Sequence, residues 1–364
     1  MTKCAELANL IGNINAGGGT ANKNAIINGS MNVSQRGTSF ADPSNDTLTL
    51  DRFIARKSND GTVTITQDSS GPSGFANSLK VDVTGADGSI GSSQFSMIQH
   101  KIEAQNLQGL AFGTSDAKNF TLSFYVKSNK TGTYAVNITQ PDNSSKQATL
   151  NYTINSANTW ERKSLTFTGD TSGVINDDNG IGFSILFWLA AGDSFTSGST
   201  SATFQTYANA DSAAGHAVNL LDDVANEWFI TGIQLEIGQN ATEFEHESFS
   251  TTLHKCERYF QKWDLETAVG TGLWFSANQV LGHLELRQIM CNEPTMSVSS
   301  ADFVKGYLAA GASDANDSGS PFDLITPQAA RFNTAMVASG TNGQGCLLQL
   351  KSSEYIYADA EVGT

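Results

Sequence analysis

Between Phe120 and Gly238 the chain repeats short runs in which apolar and polar residues alternate. One of these runs, FTLSFYVKS, places Phe120, Leu122, Phe124 and Val126 on a single side. Alternation with a period of two is typical of a strand with one buried face. Glycine, asparagine, aspartate and serine separate the runs at the spacing of a β-sandwich. We therefore predict an all-β chain with a jelly-roll β-sandwich over residues 23–250.

The stretch 226–263 changes from this period to a helical one. After a final alternating strand, the apolar residues Leu253, Cys256, Phe260 and Trp263 are spaced by 3, 4 and 3 positions. This is the a/d pattern of a short helix, and it predicts a helical neck over residues 251–264. Two roles stay open for the stripe: packing on the sheet of its own domain, or meeting the same helix of other copies on a shared axis.

Residues 1–22 carry a second apolar stripe, formed by Leu7, Leu10, Ile11 and Ile14 at helical spacing. We predict a short helix there, ended by a run of glycines. A lone helix of this length is marginal in water. The segment is therefore either a frayed terminus or a docking peptide that becomes ordered against a partner.

Charge and cysteine content limit the partners and the compartment. The chain holds 21 basic and 36 acidic residues, a net charge of −15, and has no basic stripe. This predicts no binding to nucleic acid, because phosphate contacts need clustered cations. No apolar run is long enough to cross a bilayer, and the first residues do not resemble a signal peptide. Four scattered cysteines without a CxxC pair favour assembly in a reducing cytoplasm.

Residues 265–364 predict a smaller C-terminal β domain, large enough for a core of its own. It includes a polar, acidic loop over Gly311–Phe322. Sugar sites combine exposed aromatic rings with polar side chains. The predicted ligand-binding residues, which share this domain, are Trp274, Phe275, Tyr307, Asp314 and Asp317.

Aromatic residues of the sandwich give a second set of candidates. Trp188 lies off the core parity of its run, and Tyr207 lies in a polar loop, so both are candidates for stacking on a sugar. Trp160 and Trp228 are predicted to lie in the core. For any single aromatic residue, burial in a core or a subunit interface is the competing interpretation, because large rings are usually buried.

Acidic residues do not form a recognisable catalytic set. Glycan hydrolysis needs two carboxylates across a cleft. Asp177 and Asp178 lie in a turn-forming sequence, while Glu243, Glu245 and Glu247 share one parity of an extended segment. The sequence also lacks the short periodic repeats that are typical of a parallel β-helix. We therefore predict that the protein is not an enzyme.

The metal content is left open by the sequence. The five histidines have no partner at zinc-ligand spacing. A structural calcium ion is compatible with the oxygen ligands of Asp42, Asp46, Asp51 and the loop 176–179. No other cofactor is predicted.

Several of these segments resemble known families. FTLSFYVKS, NTWERKSLTFTGD and EWFITGIQLEIG resemble strands of jelly-roll carbohydrate-binding modules. KNAIINGSMNVSQRGTSF, LTLDRF and NATEFEHESFSTTLHKCERYFQK resemble a family of bacteriophage tail-fibre and appendage proteins of marine and cyanobacterial phages. The resemblance covers residues 1–263 and fades beyond them. It implies a virion-attachment segment at residues 1–22, a distal tip at residues 265–364, and a homotrimer.

Together these observations predict a structural virion protein, assembled in the host cytoplasm. Its role would be that of a tail fibre or appendage that binds a glycan or protein receptor on the host surface. Its partners would be other copies of itself, a phage tail or capsid protein, and the receptor. The alternatives are a capsid-decorating protein and a non-catalytic carbohydrate-binding module.

Overall fold

A computed structural model describes residues 23–142, 145–264, 266–308, 311–316, 321–337 and 340–363. Within these ranges the chain is built mainly of antiparallel strands, which confirms the predicted all-β class. It divides into two compact units, with the boundary between Thr252 and Leu253. We call them the sandwich unit and the C-terminal unit. The predicted helix with Leu7, Leu10, Ile11 and Ile14 lies outside the described residues.

The described strands of the sandwich unit are, in chain order, β1 (Ser39–Ala41), β2 (Thr47–Leu48), β3 (Phe53–Ser58), β4 (Thr62–Asp68), β5 (Ser78–Gly85), β6 (Phe95–Glu103), β7 (Phe120–Ser128), β8 (Gly132–Gln140), β9 (Lys146–Ile154), β10 (Glu161–Phe167), β11 (Ile181–Ala191), β12 (Ser201–Thr206) and β13 (Glu227–Ile237). The described part of the first sheet has the order β1-β4-β5-β13-β7-β10. The described part of the second has the order β12-β9-β8-β11-β6-β3-β2. Segments of 3-10 helix span Ala104–Leu110, Asn209–Asp211 and Leu220–Asp222.

Side chains of both sheets meet in one core, as the alternating runs predict. Phe124 of the first sheet packs edge-on against Phe187 of the second, with 5.3 Å between ring centres. Trp228 is fully buried, and its indole N–H donates a hydrogen bond of 3.3 Å to the Tyr152 hydroxyl across the core. The prediction that Trp228 is a core residue is therefore correct. Large aromatic residues fix the spacing of the two sheets.

The C-terminal unit has its own sheets. Its described strands are β14 (Phe260–Trp263), β15 (Ala268–Ser276), β16 (Gln279–Glu285), β17 (Thr295–Val298), β18 (Val304–Leu308), β19 (Gly311–Asp314), β20 (Phe322–Asp323), β21 (Ala329–Ala335), β22 (Gly345–Leu350) and β23 (Ile356–Asp359). The described parts of the two sheets have the orders β14-β23-β17 and β19-β18-β22-β15-β16-β21-β20. Phe303, Phe322 and Phe332 are buried in contact with one another.

The predicted neck is only partly helical. Besides a single turn, α1 (Asp193–Thr196), the described α-helix is α2 (Phe249–Glu257), which begins where the Ser248 hydroxyl accepts the Thr251 backbone N–H. Leu253 and Cys256 lie on α2, whereas Phe260 and Trp263 lie in strand β14. The prediction of one continuous helical stripe through all four residues is therefore wrong.

The reason lies in the sequence Tyr259–Trp263. Its aromatic residues favour a strand, and β23 supplies the backbone partners, with Phe260 opposite Asp359 and Trp263 opposite Ile356. Phe260 packs on Tyr357 at 5.0 Å between ring centres, and the Arg287 guanidinium lies 5.0 Å from the Trp263 ring. Both side chains are thus buried by their own chain.

The predicted acidic loop is also shorter than expected. Gly311–Asp314 is strand β19, paired with β18 so that Asp314 lies opposite Lys305, and Phe322 is buried at the start of β20. Phe322 belongs to the aromatic core of this unit, which draws the end of the segment into the sheet. Within the part of the chain that the structure describes, no helix is long and apolar enough to cross a membrane.

Candidate functional site

The outward side of the first sandwich sheet carries a group of aromatic residues that we call the aromatic face: Phe75, Tyr125, Trp160, Phe229 and Phe244. Strand alternation places the members on β7 and β13 there, because the residues beside them point into the core. The inward neighbours, all buried, are Phe124, Val126, Trp228 and Ile230. Cross-strand pairing sets Phe229 opposite Lys127, and Thr231 opposite Tyr125.

One end of the aromatic face combines two rings with two ammonium groups. Trp160 is half-buried and stands edge-on to Phe229, with 6.1 Å between ring centres. The Lys127 ammonium lies 4.0 Å from the centre of the Phe229 ring and 5.2 Å from that of Trp160. Lys80 approaches Phe229 from the other side at 5.6 Å. Cations at such distances are attracted by the electron-rich face of a ring.

The other end is a cluster around Phe75. Its ring centre lies 5.3 Å from Tyr125, 5.0 Å from Phe244 and 5.0 Å from His246. The Phe75 and Tyr125 rings pack above Gly232, which has φ of +61° at a bulge of β13. A Cβ at that position would meet the Phe75 ring at 2.8 Å and the Tyr125 ring at 3.0 Å. Only glycine leaves room for the two rings.

Polar side chains hold the segment that carries Phe244 on the sheet. The buried Glu236 carboxylate accepts hydrogen bonds from the backbone N–H and the hydroxyl of Thr242, at 2.8 and 2.7 Å. Gln234, one position along the same face, donates to Glu236 at 2.8 Å and accepts the backbone N–H of Glu245 at 2.8 Å. The alternating polar residues of β13 are therefore anchors for this segment.

Ion pairs surround the aromatic face unevenly. Lys80 forms ion pairs with Glu227 at 2.5 Å and Asp82 at 3.3 Å. Burial alone would lower the pKa of Lys80, but the hydrogen bond to Glu227 and the charge of Asp82 outweigh it and raise that pKa. Arg162 lies 6.0 Å from the Tyr125 ring centre and 3.7 Å from the Glu243 carboxylate. In contrast, no carboxylate of the described residues forms an ion pair with Lys127.

This arrangement suits the binding of a polar ring compound. Half-buried Trp160 and Tyr125 offer ring surface, and Lys127 and Arg162 offer hydrogen-bond donors beside it. Sugars bind where aromatic surface and a few oriented polar groups converge. Trp160 was predicted to lie in the core, and that prediction is wrong: it precedes β10 at an edge of the sheet, where it packs outward on Phe229.

The other sandwich candidates are placed differently. Trp188 does point away from the main core, but it is 2% exposed because Phe95 and Phe195 cover its ring. It has no free surface for a sugar, so this candidate is wrong. Tyr207 is 43% exposed, and its hydroxyl donates to the Asn209 side chain at 2.9 Å.

The predicted ligand-binding residues of the C-terminal unit do not form one site. Trp274 is fully buried, and the position of Gly340 lies against its ring, so it offers no surface to a ligand. Phe275 and Tyr307 are exposed on the open side of their sheet. Asp314 lies 3.6 Å from Lys305 and 3.5 Å from Lys351, as a partner of protein cations. Asp317 lies outside the described residues.

Several carboxylates that were considered as catalytic or calcium-binding candidates already interact with other groups of the protein. Asp42 pairs with Lys57, Asp46 pairs with Arg56 at 2.8 Å, and Asp51 accepts the Gln35 backbone N–H at 2.6 Å. Asp178 accepts the Gly180 N–H at 2.8 Å within its turn. Glu245 accepts the backbone N–H of Lys23 at 2.9 Å. No group of three or more histidine, cysteine, aspartate or glutamate side chains suited to a metal ion occurs among the described residues.

Comparison with known proteins finds solved structures that resemble this chain, with low sequence identities and low TM-scores. No protein-family model and no curated protein matches the sequence. Tailspike protein 4 of bacteriophage CBA120, in its enzymatically active domain, is 12% identical with a TM-score of 0.32, over 59% of this chain and only 21% of that chain.

Two carbohydrate-binding modules also resemble this chain, again with low sequence identities and low TM-scores. The family 11 module of a cellulosomal cellulase of Clostridium thermocellum is 15% identical with a TM-score of 0.28, over 57% of this chain and 98% of its own. The module TmCBM61, solved with beta-1,4-galactotriose, is 10% identical with a TM-score of 0.26, over 59% and 98%. TM-scores this low carry no argument about function.

Proposed function

We propose that the sandwich unit is a non-catalytic glycan-binding domain and that its aromatic face is the binding site. The observation that supports this most directly is the placing of half-buried Trp160 and Tyr125 beside Lys127 and Arg162 on one side of a sheet. The rings would stack on the apolar side of a sugar, and the donors would bind its hydroxyl groups. The nearby carboxylates of Glu227 and Glu236 already serve as partners of Lys80 and Thr242.

For the whole chain we propose a virion appendage that attaches to a glycan of the host surface. The resemblance of residues 1–263 to phage tail-fibre proteins supports this role, with residues 1–22 as the attachment to the virion and with a homotrimer as the working form. Capsid decoration is the alternative. Counting copies per particle separates the two, because an appendage occupies a few positions and a decorating protein occupies hundreds.

Binding of the full chain to an array of polysaccharides tests the glycan site. We expect Trp160→Ala and Tyr125→Ala each to weaken binding by about 0.5–1.5 kcal/mol, which is two- to tenfold. The matched control is Tyr207→Ala, which removes an exposed aromatic ring outside the aromatic face. Unchanged affinity in both face variants, or an equal loss in the control, would contradict the proposed site.

A further inference from the structure

We propose that the aromatic face selects an acidic glycan, one whose sugar carries a carboxylate, sulfate or phosphate group, and that Lys127 binds this group. The inference rests on the proposed function and adds the charge of the ligand to it. A chain with a net charge of −15 repels polyanions in general. A local cation that no carboxylate of the described residues pairs with is therefore the feature that would allow an acidic ligand to bind here.

Lys127 is held in place by rings rather than by a carboxylate. Its ammonium lies 4.0 Å from the Phe229 ring centre and 5.2 Å from that of Trp160, and no carboxylate of the described part of the chain forms an ion pair with it. The backbone of Lys127 is paired with Phe229 of β13, and β10 pairs with β7 up to the preceding residue, Val126. A cation held in this way loses little further freedom when an anion binds.

The charged neighbours determine where the anion would lie. On one side of Phe229, Lys80 sits between Glu227 and Asp82, so that this trio carries a net negative charge. On the other side, Arg162 faces the highly exposed Glu243 at 3.7 Å, a separation at which a surface pair is weak. An anion is therefore favoured on the Trp160 side of Lys127, away from the trio. A sugar stacked on Trp160 would bring its charged substituent there.

A purely structural role for Lys127 is the competing explanation, since its side chain also covers the Phe229 ring. Two substitutions separate the roles. Lys127→Met keeps a long apolar side chain over the ring and removes the charge, whereas Lys127→Arg keeps the charge. Circular dichroism and the melting temperature show whether each variant is folded.

The experiment compares matched ligands with the full chain. A sulfated galactan is paired with its desulfated form, and an oligogalacturonate with its methyl ester, so that only the charge differs within a pair. We expect the charged member to bind about tenfold more tightly, with a preference that falls as the salt concentration rises. Lys127→Met should remove the preference, and Lys127→Arg should keep it.

The outcomes distinguish this inference from the proposed function. Equal binding within each pair, or a preference that survives in folded Lys127→Met, would overturn the inference. If Trp160→Ala still weakened binding in that case, the glycan site would stand without charge selection. If glycans bind and both Trp160→Ala and Tyr125→Ala leave every affinity unchanged, both the site and the inference fail.

Discussion

Gly232 is the residue on which the geometry of the aromatic face depends most. Its φ of +61° is costly for other residues, and the Phe75 and Tyr125 rings occupy the space of a Cβ. We expect Gly232→Ala to lower the free energy of unfolding by about 1–3 kcal/mol and to weaken glycan binding by displacing both rings. Urea denaturation and affinity measurements check this. Gly88→Ala is the control, because a Cβ there meets nothing within 4 Å.

His216 should make the stability of the sandwich unit depend on pH. Its Nδ1 accepts the Ala135 backbone N–H at 3.2 Å, and burial lowers its pKa from 6.5 to about 4. Between pH 6.5 and about 4, His216 binds a proton in the unfolded chain but not in the folded chain. The free energy of unfolding therefore decreases as the pH falls through this window. Asparagine does not titrate and can accept the same N–H bond.

Urea denaturation of His216→Asn at pH values above and below this window measures the effect. We expect the variant to lose about 1–3 kcal/mol less stability on acidification than the unchanged chain. Some pH dependence should remain, because burial also lowers the pKa of His100, to about 3. An equal pH dependence of the His216→Asn variant and the unchanged chain would contradict the assignment.

At the scale of single elements, strands of the sandwich core could be predicted from the sequence, and the boundary of α2 could not. Phe120, Leu122, Phe124 and Val126 alternate over a whole strand, so one period explains every position. In the predicted neck, the apolar spacings of 3, 4 and 3 cross the junction between helix α2 and strand β14. The residues after this junction fit a helix by their spacing and a strand by their aromatic side chains. Pairing with β23, about a hundred positions later in the chain, decides between them.

The aromatic face was not identified from the sequence, for a related reason. Parity separates Tyr125 and Lys127 from their buried neighbours and marks them as outward, but it does not reveal which outward residues of different strands are adjacent. Trp160 and Phe75 lie in connections outside the strands, where no period applies. The contact of Trp160 with Phe229 and Lys127 depends on the sheet order β13-β7-β10, which one sequence does not specify.

Strand β14 gives a prediction that distinguishes a folded strand from an intermolecular neck. Trp263 is buried by its own chain, with Arg287 over its ring, so Trp263→Ala should destabilise the C-terminal unit by about 3–5 kcal/mol. Thermal unfolding at several protein concentrations measures this loss. Phe275→Ala, which removes a ring that is 56% exposed, is the control and should cost far less. A loss that vanishes at low protein concentration would instead favour the neck.

At the scale of the whole molecule, the open side of a C-terminal sheet bears on the proposed trimer. Leu347 is paired with both Tyr307 and Thr271, and Leu273 lies two positions from Thr271, so these side chains share one side. Leu273, Tyr307 and Leu347 are each more than 40% exposed. Apolar groups gathered on one exposed side are typical of interaction surfaces. If these side chains are buried between copies of the chain, Tyr307 is not available to a ligand. The trimer interface and a ligand site at Tyr307 therefore exclude each other.

We expect light scattering to give the mass of three protomers of 38.6 kDa each, and the double variant Leu273→Lys with Leu347→Lys to give one. Charges buried in the interface without partners would oppose association. Val224→Lys, at a 56% exposed residue of the sandwich unit, is the control and should keep the trimer. Each separated protomer should retain its affinity for a short glycan but lose the avidity of three linked sites for a glycan-coated surface. A single-protomer mass for the unchanged chain would refute the trimer and leave Phe275 and Tyr307 as ligand-binding candidates.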